Sequence, residues 1–469
     1  MRHAVISDRA AAEAAVPTDL HRLNVGDLFN FWAEGRNSPM QIGLAGTFHA
    51  PGWLDRAGQL RLSWLADQVE RRTRRAPVLR RRIRWTRFGE GRPVWVDDAD
   101  FDIASHVRAA PLPGTDLADF WDWAAVETIS PLDRDRPLWQ MIFVPGLEGD
   151  RIGMVFVIHH VAVDGLAGVA ALSELLDTVP DQPVPERDWR PQPPPSRRRL
   201  VTDNVSTRLH AVPPLVRAIP RLPVLINAFR GTAETVRKDA PATSLAGTIG
   251  PSRRTGLISA PLDEVHRSAD AAGVSVNDCV LAAVTAGLGE WLATRHELRP
   301  GLTLRASMPV AVPGREQNAG RMVVVPLPVD ESDPAKRLST IHGTTSALKA
   351  QHADVAHTDI TGSPLFPVSL MRIGIPWLAR RGGLKVNCFV TNVRGPRKPL
   401  YLAGAQLDNA VPYAPLVAGV RLGVTVFSYA GTLTITLLGD AELPDWSTLV
   451  SATQRSLLMF SAGERSIRR

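Results

Sequence analysis

The chain has 469 residues, of which 44% are hydrophobic and 22% are charged, a composition typical of a globular protein with about two to four domains. Its two cysteines, Cys279 and Cys388, cannot build a disulfide framework and suit a reducing compartment. No apolar run reaches the roughly 18 residues of a membrane-spanning helix, and residues 1–17 carry charges that argue against a signal peptide. We therefore expect a cytoplasmic protein.

The basic residues are mostly arginines, since only five of the 54 lysines and arginines are lysines. A preference for arginine over lysine is more typical of a protein from a GC-rich genome than of a protein adapted to bind a particular ligand. The net charge of +7 nevertheless favours anionic partners. We expect no nucleic-acid partner, because the sequence contains neither a helix-turn-helix nor a strand motif interleaved with aromatic residues.

Apolar periodicity predicts the elements of the N-terminal half. Helical spacing is followed by an alternating strand pair around a Gly-Glu-Gly turn, then by a hairpin of two apolar strands and a further helix. These elements cover residues 59–75, 81–96, 138–144, 152–158 and 166–176, in that order.

A seam rich in proline divides the chain at residues 178–196, where seven prolines exclude a helix interior and predict an extended linker. Residues 197–237 mix arginines with apolar residues and predict a basic amphipathic helix. That helix either packs on the surface of a domain or contacts a membrane or lipid droplet. Prolines are expected to break it at Pro213, Pro214, Pro220 and Pro223.

The C-terminal half continues with both kinds of element. Predicted strands cover residues 254–260, 304–310, 322–329 and 386–391 and lie within 422–438, and predicted helices cover 262–271 and 276–295. Because neither half shows strict βαβ alternation, the sequence predicts the α+β class. The predicted divisions are an N-terminal domain (1–178), a crossover with the basic segment (179–240) and a C-terminal domain (241–469).

The strongest chemical signal is residues 159–165 (HHVAVDG), where two histidines end a buried strand and Asp164-Gly165 start a helix. A histidine at a strand end that opens to a cavity is well placed as a general base, because its ordinary pKa of about 6.5 lets it accept a proton near neutrality. The structural alternative is that Asp164 only caps the helix and that both histidines are satisfied core residues. We expect no metal, since neither a second histidine at helical spacing nor a nearby cysteine completes a zinc site.

HHVAVDG resembles the HHxxxDG motif of the CoA-dependent acyltransferase superfamily. Three further regions resemble blocks of one of its families, the bacterial wax ester synthase/diacylglycerol acyltransferases, in the family's order. They are residues 131–139 (PLDRDRPLW), 275–278 (SVND), and 391–396 (TNVRGP) with 399–404 (PLYLAG). The resemblance runs from about residue 17 to the C-terminus.

This resemblance implies two sandwich domains similar to chloramphenicol acetyltransferase, with a tunnel at their interface. It implies acyl-CoA as co-substrate without a permanently bound cofactor, and diacylglycerol or a long-chain alcohol as acceptor. A peripheral position on the inner membrane or on lipid droplets would suit such acceptors. Acyl transfer would be direct, without an acyl-enzyme, and the sequence has no G-x-S-x-G motif to suggest otherwise.

Site roles follow from the same resemblance. His160 is the expected base, His159 a structural neighbour, and Asp164 orients the loop. Gly165 allows close approach of the helix backbone. Asn277 either polarises the acyl carbonyl or donates to the oxyanion, or it is simply the N-cap of the helix over residues 276–295.

The sequence departs from the family's blocks in three places. Thr391 replaces a serine and Arg394 replaces a proline, and residues 310–322 are shortened with Pro313 and Ala319 at altered positions. These departures bear on acceptor preference. Two other functions therefore stay open: a CoA- or carrier-dependent acyltransferase acting on another hydroxyl or amine, and a catalytically decayed lipid-binding protein.

Overall fold

The structure, a computed structural model, describes residues 20–112, 114–163, 165–180, 182–184, 189–218, 239–310, 321–353, 372, 385–417 and 419–461. The elements of the N-terminal half are α1 (Val25–Trp32), β1 (Gln41–His49), α2 (Leu62–Thr73), β2 (Arg81–Arg84), β3 (Val94–Asp97), β4 (Val107–Ala109), α3 (Leu117–Glu127), β5 (Trp139–Leu147), β6 (Arg151–His159), α4 (Gly165–Leu175) and α5 (Arg197–Ala218).

The C-terminal half contributes the remaining elements. They are β7 (Ala246–Gly247), β8 (Arg253–Pro261), α6 (Leu262–Ala271), α7 (Val276–Thr294), β9 (Thr303–Val310), β10 (Arg321–Pro328), α8 (Pro334–Ala353), β11 (Cys388–Arg394), β12 (Tyr401–Leu402), β13 (Ala405–Gln406), β14 (Val411–Tyr413), β15 (Gly419–Val420), β16 (Leu422–Tyr429), β17 (Thr432–Asp440) and α9 (Trp446–Ser461).

The first large sheet has five strands in the order β14-β1-β6-β5-β4. Its central strand β6 is antiparallel to both neighbours and buried on both faces. Because side chains alternate along a strand, Phe156 and Ile158 pack into a core shared with α2 and α4, whereas Val155 and Val157 pack into another core shared with α3. Burial of both faces explains why the strand reads as a continuous apolar run rather than an alternating one.

The second large sheet has six strands in the order β10-β9-β11-β16-β17-β8. Strand β11 lies parallel to β9 and β16, and the other pairings are antiparallel. Helix α7 lies between α8 and α9 and is buried along most of its length. Within the described residues no single helix is long and apolar enough to cross a membrane, and α6 with α7 meets that test only as a pair bent by 99°.

The two halves of the chain are interlocked. Strand β14 comes from the C-terminal half yet pairs with β1 at the edge of the first sheet. The Tyr413 hydroxyl donates to the Trp121 carbonyl at 2.9 Å, and Asp177 exchanges backbone hydrogen bonds with Tyr401. The predicted divisions at residues 178 and 240 thus place every described strand of the second sheet in the C-terminal part, and β14 is the one described strand of the first sheet that also comes from it.

The expected break of the basic helix at Pro213 and Pro214 is wrong, because α5 continues to Ala218. Each proline removes a backbone donor and crowds the carbonyl of the preceding turn, so both prolines cost helix stability, yet they do not end α5. Pro220 and Pro223 lie outside the described residues, as do Pro313 and Ala319 of the shortened segment.

Candidate active site

The two histidines of HHVAVDG lie where strand β6 ends between its neighbours. The His159 N–H donates to the Leu138 carbonyl at 2.9 Å, and the His160 N–H donates to the Met40 carbonyl at 2.7 Å. Leu138 belongs to the PLDRDRPLW block, and Met40 immediately precedes β1. The backbone of His159 is thus fixed by the adjacent strand of the hairpin, and that of His160 by the start of β1, 120 residues earlier.

The His159 ring is buried and engaged at both nitrogens. Its Nδ1 accepts the Val161 N–H at 3.0 Å, so its Nε2 holds the proton in the neutral ring and donates to Glu34 Oε1 at 2.7 Å. The Phe31 ring lies 5.4 Å from the His159 ring, centroid to centroid. This environment holds His159 in one orientation and leaves its nitrogens occupied.

Glu34 is the centre of this arrangement, and the sequence analysis missed it. Its carboxylate accepts hydrogen bonds from His159, from the Met40 N–H at 2.9 Å and from Arg134 Nη2 at 2.6 Å. Burial acts to raise the pKa of Glu34, but these bonds and the nearby charges outweigh it, so the pKa lies below its ordinary value of 4.5. Glu34 therefore carries a negative charge that braces the histidine pair at neutral pH.

His160, the expected base, is only partly buried and contacts helix α1. Its Nδ1 lies 3.3 Å from Nδ2 of Asn30. In this contact the Asn30 amide N–H donates to Nδ1, so the neutral ring carries its proton on Nε2. For Nε2 to accept a proton, the Asn30 amide turns by half so that its oxygen accepts from Nδ1–H.

Asp164 lies outside the described residues, and helix α4 begins at the next residue, Gly165. Val163 anchors the loop between His160 and α4, because its side chain is buried in the same core cluster as Leu172 of α4. Helix α4 also approaches β1 closely at Gly168, where a Cβ atom would lie 2.7 Å from Ile42 Cδ1. The glycine at that position lets α4 pack directly on the first sheet.

Asn277 lies in the first turn of α7 and meets the TNVRGP block. The Asn392 Nδ2 donates to Asn277 Oδ1 at 3.3 Å. The amide nitrogen of Asn277, which can only donate, therefore points away from Asn392. The alternative reading of Asn277 as the helix N-cap is wrong. Ser275 is the N-cap, and it forms a capping box with Asp278.

Asp278 is a structural anchor. Besides Ser275, its buried carboxylate accepts hydrogen bonds from the Thr345 hydroxyl at 2.7 Å and from His342 at 3.0 Å. Burial acts to raise its pKa, but these bonds outweigh that effect and the pKa is lowered. Asp278 thereby ties the start of α7 to α8 and holds Asn277 in place.

The strand that carries Asn392 packs against the part of the molecule that carries the histidine motif. Val393, next to Asn392, packs against the core cluster that contains Val163, and β11 contacts α4. The PLDRDRPLW block lies on the same side, since its Arg134 binds Glu34. The Trp139 ring packs beside β6, 6.1 Å from the Phe156 ring between centroids, and its Nε1 donates to the Leu79 carbonyl at 2.7 Å.

Other sites of chemistry are weak by comparison. Burial raises the pKa of Cys279 and of Cys388 to about 12, so both thiols are protonated and poor nucleophiles. Within the described ranges, no group of three or more histidine, cysteine or acidic residues is placed to hold a metal ion. A small pocket between α7, α8 and α9 is lined by Ala282, Arg337 and Phe460, among others, and contains none of the motif residues.

Comparison with known families gives the same answer as the motifs. Residues 23–280 match the wax ester synthase/diacylglycerol acyltransferase catalytic domain, and residues 317–460 match the C-terminal domain of the same enzymes. The chain belongs to this acyltransferase family. The family predicted from the four sequence blocks is thereby confirmed.

Individual relatives support the assignment over nearly the whole chain. A putative diacylglycerol O-acyltransferase of Mycobacterium tuberculosis is 32% identical over 454 residues, covering 90% of this chain and 93% of the relative. One from Mycobacterium bovis is 28% identical over 445 residues, covering 92% and 96%. The chain is thus an enzyme of the wax ester synthase/diacylglycerol acyltransferase type.

Solved structures support the fold. The wax ester synthase/diacylglycerol acyltransferase from Marinobacter aquaeolei VT8 superposes with a TM-score of 0.67 at 24% identity, covering 94% of this chain and 99% of that one. A trichothecene 15-O-acetyltransferase from Fusarium sporotrichioides superposes with a TM-score of 0.61 at 10% identity, covering 94% and 95%. These similarities confirm the predicted α+β acyltransferase fold.

Proposed function

We propose that the protein transfers a long-chain acyl group from acyl-CoA to diacylglycerol or to a long-chain alcohol, with His160 as the base. The observation that carries this proposal is the position of His160 in the family's motif. The residue is fixed at the end of β6 by Met40 and contacted at Nδ1 by Asn30. A histidine held in this way can present Nε2 to a bound hydroxyl.

In the proposed reaction, His160 Nε2 takes the proton of the acceptor hydroxyl while its oxygen attacks the thioester carbonyl. The resulting oxyanion accepts a hydrogen bond from the Asn277 amide, whose oxygen is occupied by Asn392. When the C–S bond breaks, the CoA thiolate takes the proton from the imidazolium. One C–O bond forms, one C–S bond breaks, and the proton moves from oxygen to sulfur without an acyl-enzyme.

The structure supports a division of labour within the HHVAVDG motif. His159 and Glu34 form a brace whose hydrogen bonds are satisfied, so His159 keeps a structural role. We assign Asp164 and Gly165 to orienting the loop at the start of α4. We also propose that the domains divide at residues 178 and 240, with a substrate tunnel at their interface. The enzyme would be cytoplasmic and would associate peripherally with the inner membrane or with lipid droplets.

The test is an acyl-transfer assay with labelled palmitoyl-CoA, in which diacylglycerol and hexadecanol are supplied separately in detergent. Wild type should form product, and His160→Ala should lose about 10²-fold or more of the rate because a general base is removed. The control is His266→Ala, which removes an exposed histidine of α6. Full activity in His160→Ala would contradict the mechanism.

The same assay separates the alternatives. A decayed lipid-binding protein would bind acyl-CoA but form no product with either acceptor. An acyltransferase with a different acceptor would give product only when other hydroxyl or amine compounds, or a carrier-bound acyl donor, are supplied.

A further inference from the structure

The turn of the β2–β3 ribbon exposes a phenylalanine completely. Phe88 has a relative exposure of 103%, and Trp85 on the same ribbon is 44% exposed. The turn itself is well fixed. The Thr86 hydroxyl donates to the Gly91 carbonyl at 2.6 Å, and the buried Glu90 carboxylate accepts the Arg87 N–H at 2.9 Å. The ordered turn therefore holds Phe88 in water, where the ring contributes nothing to folding.

Helix α5 lies against this ribbon and carries exposed apolar residues of its own. On its inner side Leu200 packs with Val94 and Val96, and Asn204 Nδ2 donates to the Gly89 carbonyl at 3.0 Å. Helical spacing turns Val205 and Leu209 to the outer side, where they are 49% and 66% exposed.

The ribbon and helix also expose arginines. Arg87 follows Thr86 at the turn, and Arg198 and Arg208 lie exposed on α5. Acidic groups of this region are neutralised by other arginines, since Asp203 pairs with Arg22 at 2.7 Å and Glu90 pairs with Arg197 at 3.4 Å. The surface is therefore both apolar and cationic, which suits anionic lipid headgroups.

This surface adjoins the site of the proposed base. The Trp85 ring lies 5.0 Å from the Phe31 ring, which in turn packs against His159. Helix α1, which carries Phe31, also carries Asn30, whose amide contacts His160. A lipid layer resting on Trp85 and Phe88 would therefore lie close to the histidine pair.

We propose that Trp85, Phe88 and the exposed side of α5 form a docking surface for an anionic phospholipid bilayer. Phe88 enters below the headgroups, and Arg87, Arg198 and Arg208 bind their phosphates while their stems remain in the apolar layer. The benefit of this placement rests on the proposed function, because diacylglycerol and long-chain alcohols reside in such a layer. The docking itself does not depend on it.

The experiment is cosedimentation of the full-length protein with vesicles of phosphatidylglycerol and phosphatidylethanolamine, compared with vesicles of phosphatidylcholine alone. Wild type should bind the anionic vesicles more tightly, and added salt should weaken that binding. Phe88→Ser should weaken it by about tenfold or more, as expected when one phenylalanine no longer leaves water. The double variant Arg87→Glu/Arg208→Glu should weaken it as well.

Matched controls are Leu458→Ser, an exposed apolar residue of α9, and Arg267→Glu, an exposed arginine of α6. Both should bind like wild type. The proposal is overturned if wild type does not bind anionic vesicles at low salt, or if Phe88→Ser binds as tightly as wild type. Sensitivity to the arginine substitutions alone would indicate a simple anion site and would also overturn it.

The outcome is separable from that of the proposed function. Acyl transfer to acceptors dispersed in detergent tests the chemistry without a bilayer, whereas sedimentation tests the surface without turnover. Vesicle binding that depends on Phe88 in a protein without transferase activity would retain the surface and reject the enzyme proposal, and the reverse result would do the opposite.

Discussion

At the scale of single residues, Glu34 decides how the histidine pair is held. It receives hydrogen bonds from a ring, a backbone amide and an arginine, although His159 lies 125 residues away in sequence. The charged form is favoured by all three. The contacts of Glu34 therefore depend on its ionised carboxylate, and removing the charge should lower both the stability of the protein and its activity.

We expect Glu34→Gln to lower the free energy of unfolding by about 1.5–3 kcal/mol at neutral pH, the range for hydrogen bonds to a charged group. Because folding lowers the pKa of Glu34, its contribution is complete above the unfolded-state pKa and is lost as the pH falls through the lower folded-state value. Denaturant titrations of both proteins at a series of pH values should show the difference shrinking below about pH 4.5.

The control for Glu34 is Glu290→Gln, which removes the charge from an exposed pair with Arg455 at 2.5 Å. An exposed ion pair contributes little, so this change should cost at most about 1 kcal/mol. An equal loss of unfolding free energy in the two variants would show that the contacts of Glu34 stabilise the protein no more than an exposed ion pair does.

Asn30 is the second residue whose effect is local and chemical. We expect Asn30→Leu to lower kcat by about tenfold with little change in KM, because it mispositions the base without removing it. Steady-state kinetics with palmitoyl-CoA measure both constants, and a denaturant titration shows whether the variant is still folded. An unchanged kcat would mean that another contact sets the orientation of the His160 ring.

At the scale of elements, the end of β11 carries the asparagine that orients Asn277. A double-mutant cycle tests this pairing. Asn277→Ala and Asn392→Ala should each reduce kcat, and the double variant should lose no more than Asn277→Ala alone, because Asn392 acts through Asn277. Additive losses in the transferase assay would indicate that the two amides act independently.

The same block contains a glycine that its packing requires. A Cβ atom on Gly395 would lie 2.3 Å from the Ser428 carbonyl oxygen and 2.3 Å from Phe427 Cζ. We expect Gly395→Ala to destabilise the protein by about 1–3 kcal/mol through overpacking, measured by thermal or denaturant unfolding. Gly343 of α8 has open space around it, so Gly343→Ala should be neutral or stabilise by up to about 1 kcal/mol. A similar response of both variants would exclude the steric explanation.

At the scale of the whole molecule, the shared strand β14 and a mixed core cluster connect the two halves. A core cluster that contains Phe120 of α3 and Val155 of β6 also contains Tyr413 and Leu438 from the C-terminal half. We expect denaturant unfolding to occur in a single transition, with tryptophan fluorescence and circular dichroism giving the same midpoint. Two separate transitions would show that the halves are stable independently.

Local patterns in the sequence predicted most elements of the fold, because helices and strands impose periods of 3.6 and 2 on apolar residues. They placed β5, β6, α6 and α7 within a few residues, but the predicted break of α5 at Pro213 and Pro214 is wrong. The motif spacing also predicted His160 at the end of β6. What the sequence could not show were contacts formed only by the folded chain, such as Asn30 with His160 across 130 residues or Asn392 with Asn277 across 115.

Strand β14, which the C-terminal half contributes to the first sheet, has a consequence for synthesis on the ribosome. Until residues 411–413 emerge, β1 has an unpaired outer edge, and the sheet that carries His160 lacks its last strand. Open strand edges invite pairing with other chains. The nascent chain must therefore protect this edge while more than half of the protein is still being translated, and prematurely terminated products should be prone to aggregate.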